Sequence, residues 1–335
     1  MVIVTGASGF VGRYCVKTLI KRGYEVLATA KSEKAENFYK HSKIPFVRVD
    51  ITNPEDFKKL PQGGVKAIVH TAGLLSIDRH PAKAYFMVNA YGTYNMLEYA
   101  VKTNAETFVY TMTHSDVNRA GELYITEDTP RRFGGKETTK YIASKVAAAN
   151  LVEAFTIEYG IRGISLRLPG IRGWGSRTVA YWEGKEEKFI FNIFVEKAIK
   201  SEPIEIWGEH DTKRDLIYIK NIVDGIIGSL KSEKAVGLYN LGSGQGLTIE
   251  DEAKAIIKAF SPFKRPSKLV YLPDVEEVRK RSYVFVIDKA KRDFGYVPKF
   301  TYEEAMLDMK RDMEKAGKES PWDEWTLENM DVIEI

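Results

Sequence analysis

The sequence predicts an α/β protein: a doubly wound parallel sheet with a smaller, interleaved α/β domain. Short β-branched runs alternate with amphipathic helical stretches through the first half of the chain, which is typical of a parallel sheet covered by helices on both faces. A glycine-rich turn follows the first of these runs directly. In doubly wound folds this position is where the first strand enters its helix.

Each predicted strand is nearly all apolar, as strands buried on both faces should be. The predicted strands span residues 1–5, 24–30, 45–49, 67–71, 108–112 and 163–168. Helices are predicted over residues 11–22, 84–103 and 138–159. A further helix is predicted to begin at Asn53-Pro54, as an N-cap asparagine followed by a first-turn proline. Right-handed crossovers between the strands then give the doubly wound sheet.

The pattern loosens after Leu168, where three glycines and a charged loop follow. We therefore expect a first domain of residues 1–168 plus about 214–245, and a second of about 169–213 plus 246–335. The role of the tail around Trp322 and Trp325 is not indicated by any pattern.

Composition excludes several classes of protein. The 335 residues carry a net charge of +4, with 44% hydrophobic and 29% charged residues, which argues against disorder. The basic residues form no block, so no nucleic-acid partner is expected, and no apolar run is long enough for a membrane span. Cys15 is the only cysteine, which excludes an internal disulfide and a zinc site built on several cysteines; no metal is expected. We expect a cytoplasmic protein without a signal peptide, because a strand begins at Met1.

The glycine-rich turn predicts dinucleotide binding. Glycines permit a tight turn and let backbone N–H groups approach a pyrophosphate at a helix N-terminus. The residues expected at the cofactor are Gly6, Ser8, Gly9, Phe10, Val11 and Gly12. Their Gly-x-x-Gly-x-x-Gly spacing resembles the short-chain dehydrogenase/reductase family, whose cofactor domain is a Rossmann fold.

The end of the second strand indicates which dinucleotide binds. An acid there would bind a free ribose 2′-OH, but this chain has Lys31, a cation suited to a 2′-phosphate. NADP is therefore favoured over NAD, with a solvated surface lysine as the alternative. Small residues, Thr71, Ala72 and Gly73, end the fourth strand and allow close backbone approach, whereas His70 is expected to be a packed core residue.

Tyr141 and Lys145 form an i, i+4 pair on one helix face. A phenol is only about one part in a thousand ionised at pH 7, too little for a general base. A positive charge at about 4 Å, with an effective dielectric of about 20, contributes roughly 4 kcal/mol, enough to lower a pKa by about three. We therefore expect Lys145, with an oxidised nicotinamide, to bring the pKa of Tyr141 near neutrality and also to hold the nicotinamide ribose.

The family resemblance implies further site residues. Thr113 takes the place of the family's catalytic Ser or Thr, with Thr111 as the alternative and also a cofactor neighbour. Asp50 and the amide of Ile51 take the place of the adenine-holding pair; the alternative for Asp50 is a turn aspartate. His114, just beyond Thr113, is a substrate candidate, although it and Asp116 also suit a polar loop.

Later segments resemble the extended branch, the NAD(P)-dependent nucleotide-sugar epimerases and dehydratases. Asn89-Ala90-Tyr91-Gly92-Thr93 is similar to a helix motif of that branch, which places Asn89 near the cofactor. Arg214-Asp215-Leu216-Ile217-Tyr218 is similar to its Arg-Asp-x-Ile-Tyr element, which implies that Arg214 contacts a substrate diphosphate; a salt bridge between segments is the alternative. Arg279 is a second phosphate candidate.

Departures from the branch keep other functions open. His114-Ser115 replaces the acid pair of the dehydratases, which argues against elimination of water, and Gly170 replaces a usual asparagine. The leading hypothesis is a sugar-nucleotide epimerase with transient hydride transfer. The alternatives are an NADP-dependent dehydrogenase or reductase of a small hydroxy or carbonyl substrate and a non-catalytic dinucleotide-binding regulator. The resemblance also implies a homodimer paired through residues 84–103 and 138–159.

Overall fold

The computed structural model describes residues 1–78, 80–118, 120–133, 139–176, 178–182, 185–208, 211–273 and 281–317. The candidate phosphate residue Arg279 and the tail with Trp322 and Trp325 lie outside the described residues.

The strands and helices alternate along the described chain. The strands are β1 (Val2–Thr5), β2 (Val26–Ala30), β3 (Phe46–Arg48), β4 (Ala67–His70), β5 (Thr107–Thr113), β6 (Tyr124–Ile125), β7 (Arg162–Leu168), β8 (Gly170–Arg172), β9 (Val179–Trp182), β10 (Lys185–Lys188), β11 (Ile204–Trp207), β12 (Arg214–Tyr218), β13 (Gly237–Asn240), β14 (Gly246–Leu247), β15 (Leu269–Leu272) and β16 (Val284–Phe285). The helices are α1 (Phe10–Lys21), α2 (Glu33–His41), α3 (Ala82–Tyr85), α4 (Gly92–Lys102), α5 (Thr139–Tyr159), α6 (Ile190–Ile199), α7 (Ile219–Lys231), α8 (Ile249–Phe260), α9 (Asp288–Phe294) and α10 (Tyr302–Lys315).

A parallel sheet of seven strands forms the centre of the molecule, in the order β13-β7-β5-β4-β1-β2-β3. The chain builds β1, β2 and β3 outward, then crosses back to place β4 on the other side of β1. This reversal opens a crevice at the carboxyl ends of β1 and β4, where doubly wound folds bind ligands. The predicted Rossmann-like α/β fold is confirmed.

The helices differ from the prediction in three places. The segment after Asn53 is a short 3-10 helix, Pro54–Lys59, whose first turn is capped by the Asn53 side chain. Helix α2 was not predicted; only Ala35 and Tyr39 on it are buried, so its apolar pattern is too sparse to recognise. The helical stretch predicted over 84–103 contains a π-helical turn, Phe86–Tyr91, between α3 and α4.

Smaller sheets lie beside the central one. Strand β12 pairs with β8 and β14, while β9 with β10, β11 with β15, and β6 with β16 form two-stranded pairs. Helix α10 is joined to α7 by buried ion pairs: Lys220 Nζ lies 2.6 Å from Asp308 and 2.9 Å from Asp312. The domain boundaries near residues 168, 214 and 245 stay a prediction.

Two further observations concern membrane spans and the single cysteine. None of its helices has the length and apolar character needed to cross a bilayer. Cys15 is a buried free thiol on α1.

Candidate active site

The glycine turn forms a cradle between β1 and α1 that only glycines fit. Gly6 has a φ of +65°, and a Cβ atom there would lie 2.6 Å from the Ala72 nitrogen. A Cβ at Gly12 would lie 2.3 Å from the Gly6 carbonyl oxygen and 2.9 Å from Thr71 Oγ1. Gly9, the N-cap of α1, supplies no capping side chain, so the helix begins with open N–H groups. The cradle therefore fits the pyrophosphate of a dinucleotide.

The first turns of α1 also contact residues 173–175, which follow β8. The Phe10 ring lies 3.1 Å from the position that a Cβ at Gly173 would take. Arg13 donates to the Gly175 carbonyl at 3.0 Å, and Tyr14 donates to the Trp174 carbonyl at 3.0 Å. Among the other predicted cofactor residues of the turn, Ser8 is exposed and Val11 is partly buried. Residues 173–175 thus pack on the first turns of the cofactor helix.

Lys31 and Asp50, two predicted cofactor residues, form an ion pair with each other. Lys31 Nζ lies 2.7 Å from Asp50 Oδ2, and the lysine side chain is 75% exposed. Burial alone would raise the pKa of Asp50, but hydrogen bonds from Lys31 and Thr52 lower it below its usual value. Ile51 is buried, and its carbonyl accepts from Asn95 at 2.9 Å. The pair lies at the ends of β2 and β3, where the sequence analysis placed the adenosine.

His70 is a packed core residue, as expected. Its Nδ1 lies 2.7 Å from Thr5 Oγ1 and its Nε2 lies 3.0 Å from Thr93 Oγ1. Burial, with a smaller contribution from the charge of Lys145, lowers the pKa of His70 to about 3, so the ring stays neutral. Thr71 donates to the Thr5 carbonyl at 2.7 Å, which holds β4 against β1 below the cradle.

Asn89 is engaged with the loop after β4 and with helix α5, and its predicted contact with the cofactor stays a prediction. Its Oδ1 accepts from the Leu74 N–H at 2.7 Å, and its Nδ2 donates to the Leu74 carbonyl at 3.2 Å and to Ser144 Oγ at 2.9 Å. A Cβ at Gly73 would lie 3.0 Å from Asn89 Oδ1. The amide is engaged because it fastens the loop after β4 to helix α5.

Tyr141, Thr113 and Lys145 meet at the carboxyl end of β5. The Thr113 side chain lies beside the Tyr141 hydroxyl and lowers its pKa. Lys145, one turn further along α5, donates to the Thr111 carbonyl at 2.6 Å, and its Nζ lies 4.3 Å from the centre of the Tyr110 ring. Tyr141 and Lys145 are each 7% exposed.

Of the two candidate threonines, the geometry brings Thr113 to Tyr141. Thr113 is the last residue of β5, and its hydroxyl also accepts from the Ser115 N–H at 3.2 Å. Thr111 instead directs its hydroxyl to the His70 carbonyl at 3.3 Å.

Burial dominates the electrostatics of Tyr141 and Lys145. It raises the pKa of Tyr141 to about 12, against a smaller lowering by the Thr113 side chain. Burial also lowers the pKa of Lys145 to about 7, because the shared low-dielectric surroundings penalise both charged forms. The expected lowering of the Tyr141 pKa by Lys145 together with an oxidised nicotinamide stays a prediction.

The candidate substrate residues differ in their surroundings. His114 Nδ1 lies 3.2 Å from the Leu168 carbonyl oxygen, and its ring stacks on Tyr283 at 5.1 Å. Burial lowers the pKa of His114 to about 4, which makes it a neutral packing residue. Arg214 is half-buried on β12, and its backbone bridges to Tyr283. Tyr283 thus joins the Arg214 strand to the turn after Thr113.

Arg167, to which no sequence pattern assigns a role, forms a buried ion pair with Asp116. Arg167 Nη2 lies 3.0 Å from Asp116 Oδ2, and the two side chains are 1% and 0% exposed. A detectable signal was present: an arginine within an otherwise apolar, doubly buried strand needs a partner. Across the described ranges, no group of three or more His, Cys, Asp or Glu residues is arranged to hold a metal ion.

Comparison with known proteins adds family relationships to this geometry. The model of the family described as NAD dependent epimerase/dehydratase matches residues 2–242. A 3-beta-hydroxysteroid dehydrogenase of Mycolicibacterium neoaurum is 29% identical, with 92% of this chain and 89% of that protein covered. A putative UDP-glucose 4-epimerase of Methanocaldococcus jannaschii is 23% identical, with 91% and 96% covered.

Solved structures share the fold. A UDP-glucose 4-epimerase of Thermotoga maritima with UDP-glucose has a TM-score of 0.76 at 22% identity, covering 95% of this chain and 99% of that one. A UDP-glucose 4-epimerase of Thermus thermophilus in complex with NAD has a TM-score of 0.70 at 24% identity, covering 92% and 97%.

Proposed function

The chain belongs to the NAD dependent epimerase/dehydratase family and is an enzyme of the extended short-chain dehydrogenase/reductase type, and we propose that it is a nucleotide-sugar epimerase. In this proposal a ring hydroxyl of the sugar is oxidised by hydride transfer to the cofactor, and the keto group is then reduced from its opposite face. The cofactor is regenerated within the site.

The observation that carries the proposal is that Thr113, Tyr141 and Lys145 meet at the carboxyl edge of the sheet, where Lys145 donates to the Thr111 carbonyl and the Thr113 side chain lies beside the Tyr141 hydroxyl. Tyr141 accepts the proton of the substrate hydroxyl, and Thr113 orients that oxygen by a hydrogen bond. Lys145 holds β5 by its hydrogen bond to the Thr111 carbonyl. When it is protonated, it also keeps a positive charge near Tyr141. The nicotinamide of a bound dinucleotide supplies the hydride acceptor. The glycine cradle of Gly6, Gly9 and Gly12 would hold its pyrophosphate through the backbone N–H groups at the start of α1.

A nucleotide sugar is the proposed substrate. Arg214, which starts β12, offers a guanidinium suited to the bidentate binding of a diphosphate. The two structural neighbours named above are UDP-glucose 4-epimerases, one of them solved with UDP-glucose. These likenesses support the choice of a UDP-sugar as the first substrate to test.

A second candidate is an NADP-dependent dehydrogenase or reductase of a small hydroxy or carbonyl substrate. Two observations favour it: Lys31 stands where an NAD-binding acid is usual, and Gly170 adds no polar group in place of a usual asparagine. The 3-beta-hydroxysteroid dehydrogenase relative also supports it. We propose NADP as the preferred cofactor under either candidate. A regulator without turnover fits less well, because the residues needed for chemistry are all brought together.

One experiment separates the candidates. The purified protein is incubated with UDP-glucose or UDP-galactose and NAD⁺ or NADP⁺, while the absorbance of reduced nicotinamide and the sugar composition are followed. Interconversion of the sugars without net absorbance change supports the epimerase. Net reduction of the dinucleotide, with these sugars or with hydroxysteroids, supports the dehydrogenase instead. Cofactor binding with no reaction on any substrate supports the regulator.

We further propose a homodimer in the cytoplasm. The helical stretch from α3 to α4 exposes Phe86, Met87, Tyr91 and Tyr94. Tyr94 packs edge-on against Phe155 of α5 at 5.9 Å, so the two helices present one aromatic surface. Such a surface, rarely exposed by a monomer, suits a second copy of this chain.

A further inference from the structure

Asp116 lies three residues beyond the end of β5 and is bound on several sides. It closes the 3-10 turn His114–Asp116, which Thr113 caps with its own side chain. Its Oδ2 accepts from Arg167 Nη2 at 3.0 Å, on the neighbouring strand β7. The turn that follows Thr113 is thereby fixed to the central sheet.

Asp116 also holds the segment that leads toward helix α5. Its Oδ2 lies 3.6 Å from Arg131 Nε, and its carbonyl oxygen accepts from the Arg132 N–H at 2.7 Å. Helix α5 carries Tyr141. Asp116 therefore joins its own turn, which follows Thr113, to strand β7 and to the segment before α5.

Arg167 is anchored in turn on the far side of the pair. Its Nη1 donates to Asn240 Oδ1 at 3.1 Å, and the Asn240 N–H donates to Glu127 Oε1 at 2.8 Å. Asn240 Nδ2 donates to the Ile125 carbonyl at 2.9 Å. The ion pair thus rests on β13 and on the segment that contains Arg131.

Stability alone does not account for this pair. Asp116 Oδ1 and Arg167 Nε are buried without a hydrogen-bond partner. A pair built for strength would engage both carboxylate oxygens in bidentate geometry. Because burying two charges costs more than one hydrogen bond returns, such pairs are better explained by the conformation they fix.

We propose that Asp116 is a positioning residue for the Thr113–Tyr141 hydroxyl pair. It sets the turn after Thr113 against the segment that enters the Tyr141 helix, acting through Arg131 and Arg167. This inference rests on the proposed function, which gives the two hydroxyl groups their roles.

The pKa of Tyr141 provides a second measurement, because a merely structural role of Asp116 would leave that pKa unchanged. After burial, the Thr113 side chain lowers the pKa of Tyr141, while Tyr85 and Asp116 raise it. The charged or titratable groups at this place are Tyr85 from α3, Tyr110 from β5, Asp116 from the turn, Lys145 from α5, and Arg131 and Arg167 against Asp116. Replacing the Asp116 carboxylate by a neutral amide therefore lowers the pKa of Tyr141.

The test compares Asp116→Asn with Asp128→Asn, an exposed aspartate in the chain between β6 and α5 that serves as the matched control. Turnover of UDP-glucose, its KM, the NADP⁺ dissociation constant and the pH profile of kcat are measured for each. For Asp116→Asn we expect kcat about 10-fold lower, an unchanged NADP⁺ dissociation constant, and a base-dependent limb moved to lower pH. A kcat and a pH profile equal to those of the native protein would overturn the proposal.

Two additions keep the proposal testable. If Asp116→Asn does not fold, Arg131→Met tests the proposal instead, because it removes the outer cation and leaves the buried pair of Asp116 and Arg167. An unchanged kcat in that variant overturns the proposal.

If the native protein turns over no nucleotide sugar, the proposed function fails by itself. Hydrogen exchange of the full chain then tests the positioning. Faster exchange over residues 111–118 and 139–146 in Asp116→Asn, but not in Asp128→Asn, supports it, and equal exchange contradicts it.

Discussion

The ammonium group of Lys145 donates a 2.6 Å hydrogen bond to the carbonyl oxygen of Thr111. Helix α5 is therefore fastened to β5 two residues before Thr113, and the Tyr141 hydroxyl reaches Thr113 from the same helix. Lys145 acts on the geometry of the site as well as on its charge. Its burial then has a consequence for stability that solution experiments can measure.

Lys145→Met is expected to change how stability depends on pH. Burial lowers the pKa of Lys145 to about 7, so between pH 7 and about 10.4 the unfolded chain binds more protons at this residue than the folded chain. The stability of the native protein therefore rises with pH through this window, by up to about 5 kcal/mol, and the variant lacks that rise. Urea unfolding at a series of pH values measures it. Lys40→Met, on the exposed face of α2, is the control, and equal slopes in all three proteins would contradict the prediction.

Tyr141→Phe should abolish turnover while leaving dinucleotide affinity nearly unchanged. The ring keeps its packing against Tyr85, whereas the proton acceptor is lost, which lowers kcat by about 10²- to 10⁴-fold. Steady-state kinetics and fluorescence titration with the dinucleotide measure the two effects. Tyr24→Phe, beside the amino end of β2, should behave as the native protein does. Equal loss of turnover and of affinity would argue against a role in proton transfer.

Gly12→Ala should remove cofactor binding. The new Cβ would lie 2.3 Å from the Gly6 carbonyl, so the cradle must open or the helix must move. We expect a dissociation constant for the dinucleotide at least about 10-fold higher and a stability loss of about 1–3 kcal/mol. Calorimetric titration and thermal unfolding measure these changes. Gly63→Ala is the matched control, because open space surrounds Gly63; native affinity in Gly12→Ala would place the dinucleotide elsewhere.

Lys31→Glu should reverse the proposed preference for NADP. Lys31 is exposed apart from its contact with Asp50, so its charge is available to a 2′-phosphate at modest cost. An acid at this position would repel that phosphate and accept hydrogen bonds from a free ribose, and we expect the ratio of NADP⁺ to NAD⁺ affinities to fall by about 10-fold or more. Lys40→Glu on α2 serves as the control. A ratio that does not change would show that Lys31 plays no part in cofactor choice.

Tyr94→Glu should dissociate the proposed dimer. Tyr94 lies on the exposed aromatic surface and contacts Phe155; a buried charge there costs several kcal/mol of association energy. Sedimentation velocity measures the change in mass. Phe263→Glu should leave the mass unaltered, because Phe263 is 99% exposed on the loop after α8. A native protein that sediments as a monomer would contradict the dimer directly.

Local patterns in the sequence were sufficient for the Rossmann-like sheet, the glycine cradle and the Tyr141–Lys145 spacing. Strand apolarity, glycine placement and an i, i+4 interval act over a few residues, so they can be recognised without knowledge of distant contacts. Helix α2 was missed because only two of its residues are buried.

Tertiary structure decided what depends on residues far apart in the chain. It joined Asp116 to Arg167, 51 residues later, engaged the Asn89 amide with Leu74, and packed His114 against Tyr283. It also set the burial of Tyr141 and Lys145, which raises the pKa of the phenol and lowers that of the ammonium. Burial is set by how separate segments pack together, and that information is absent from the spacing of two residues on one helix.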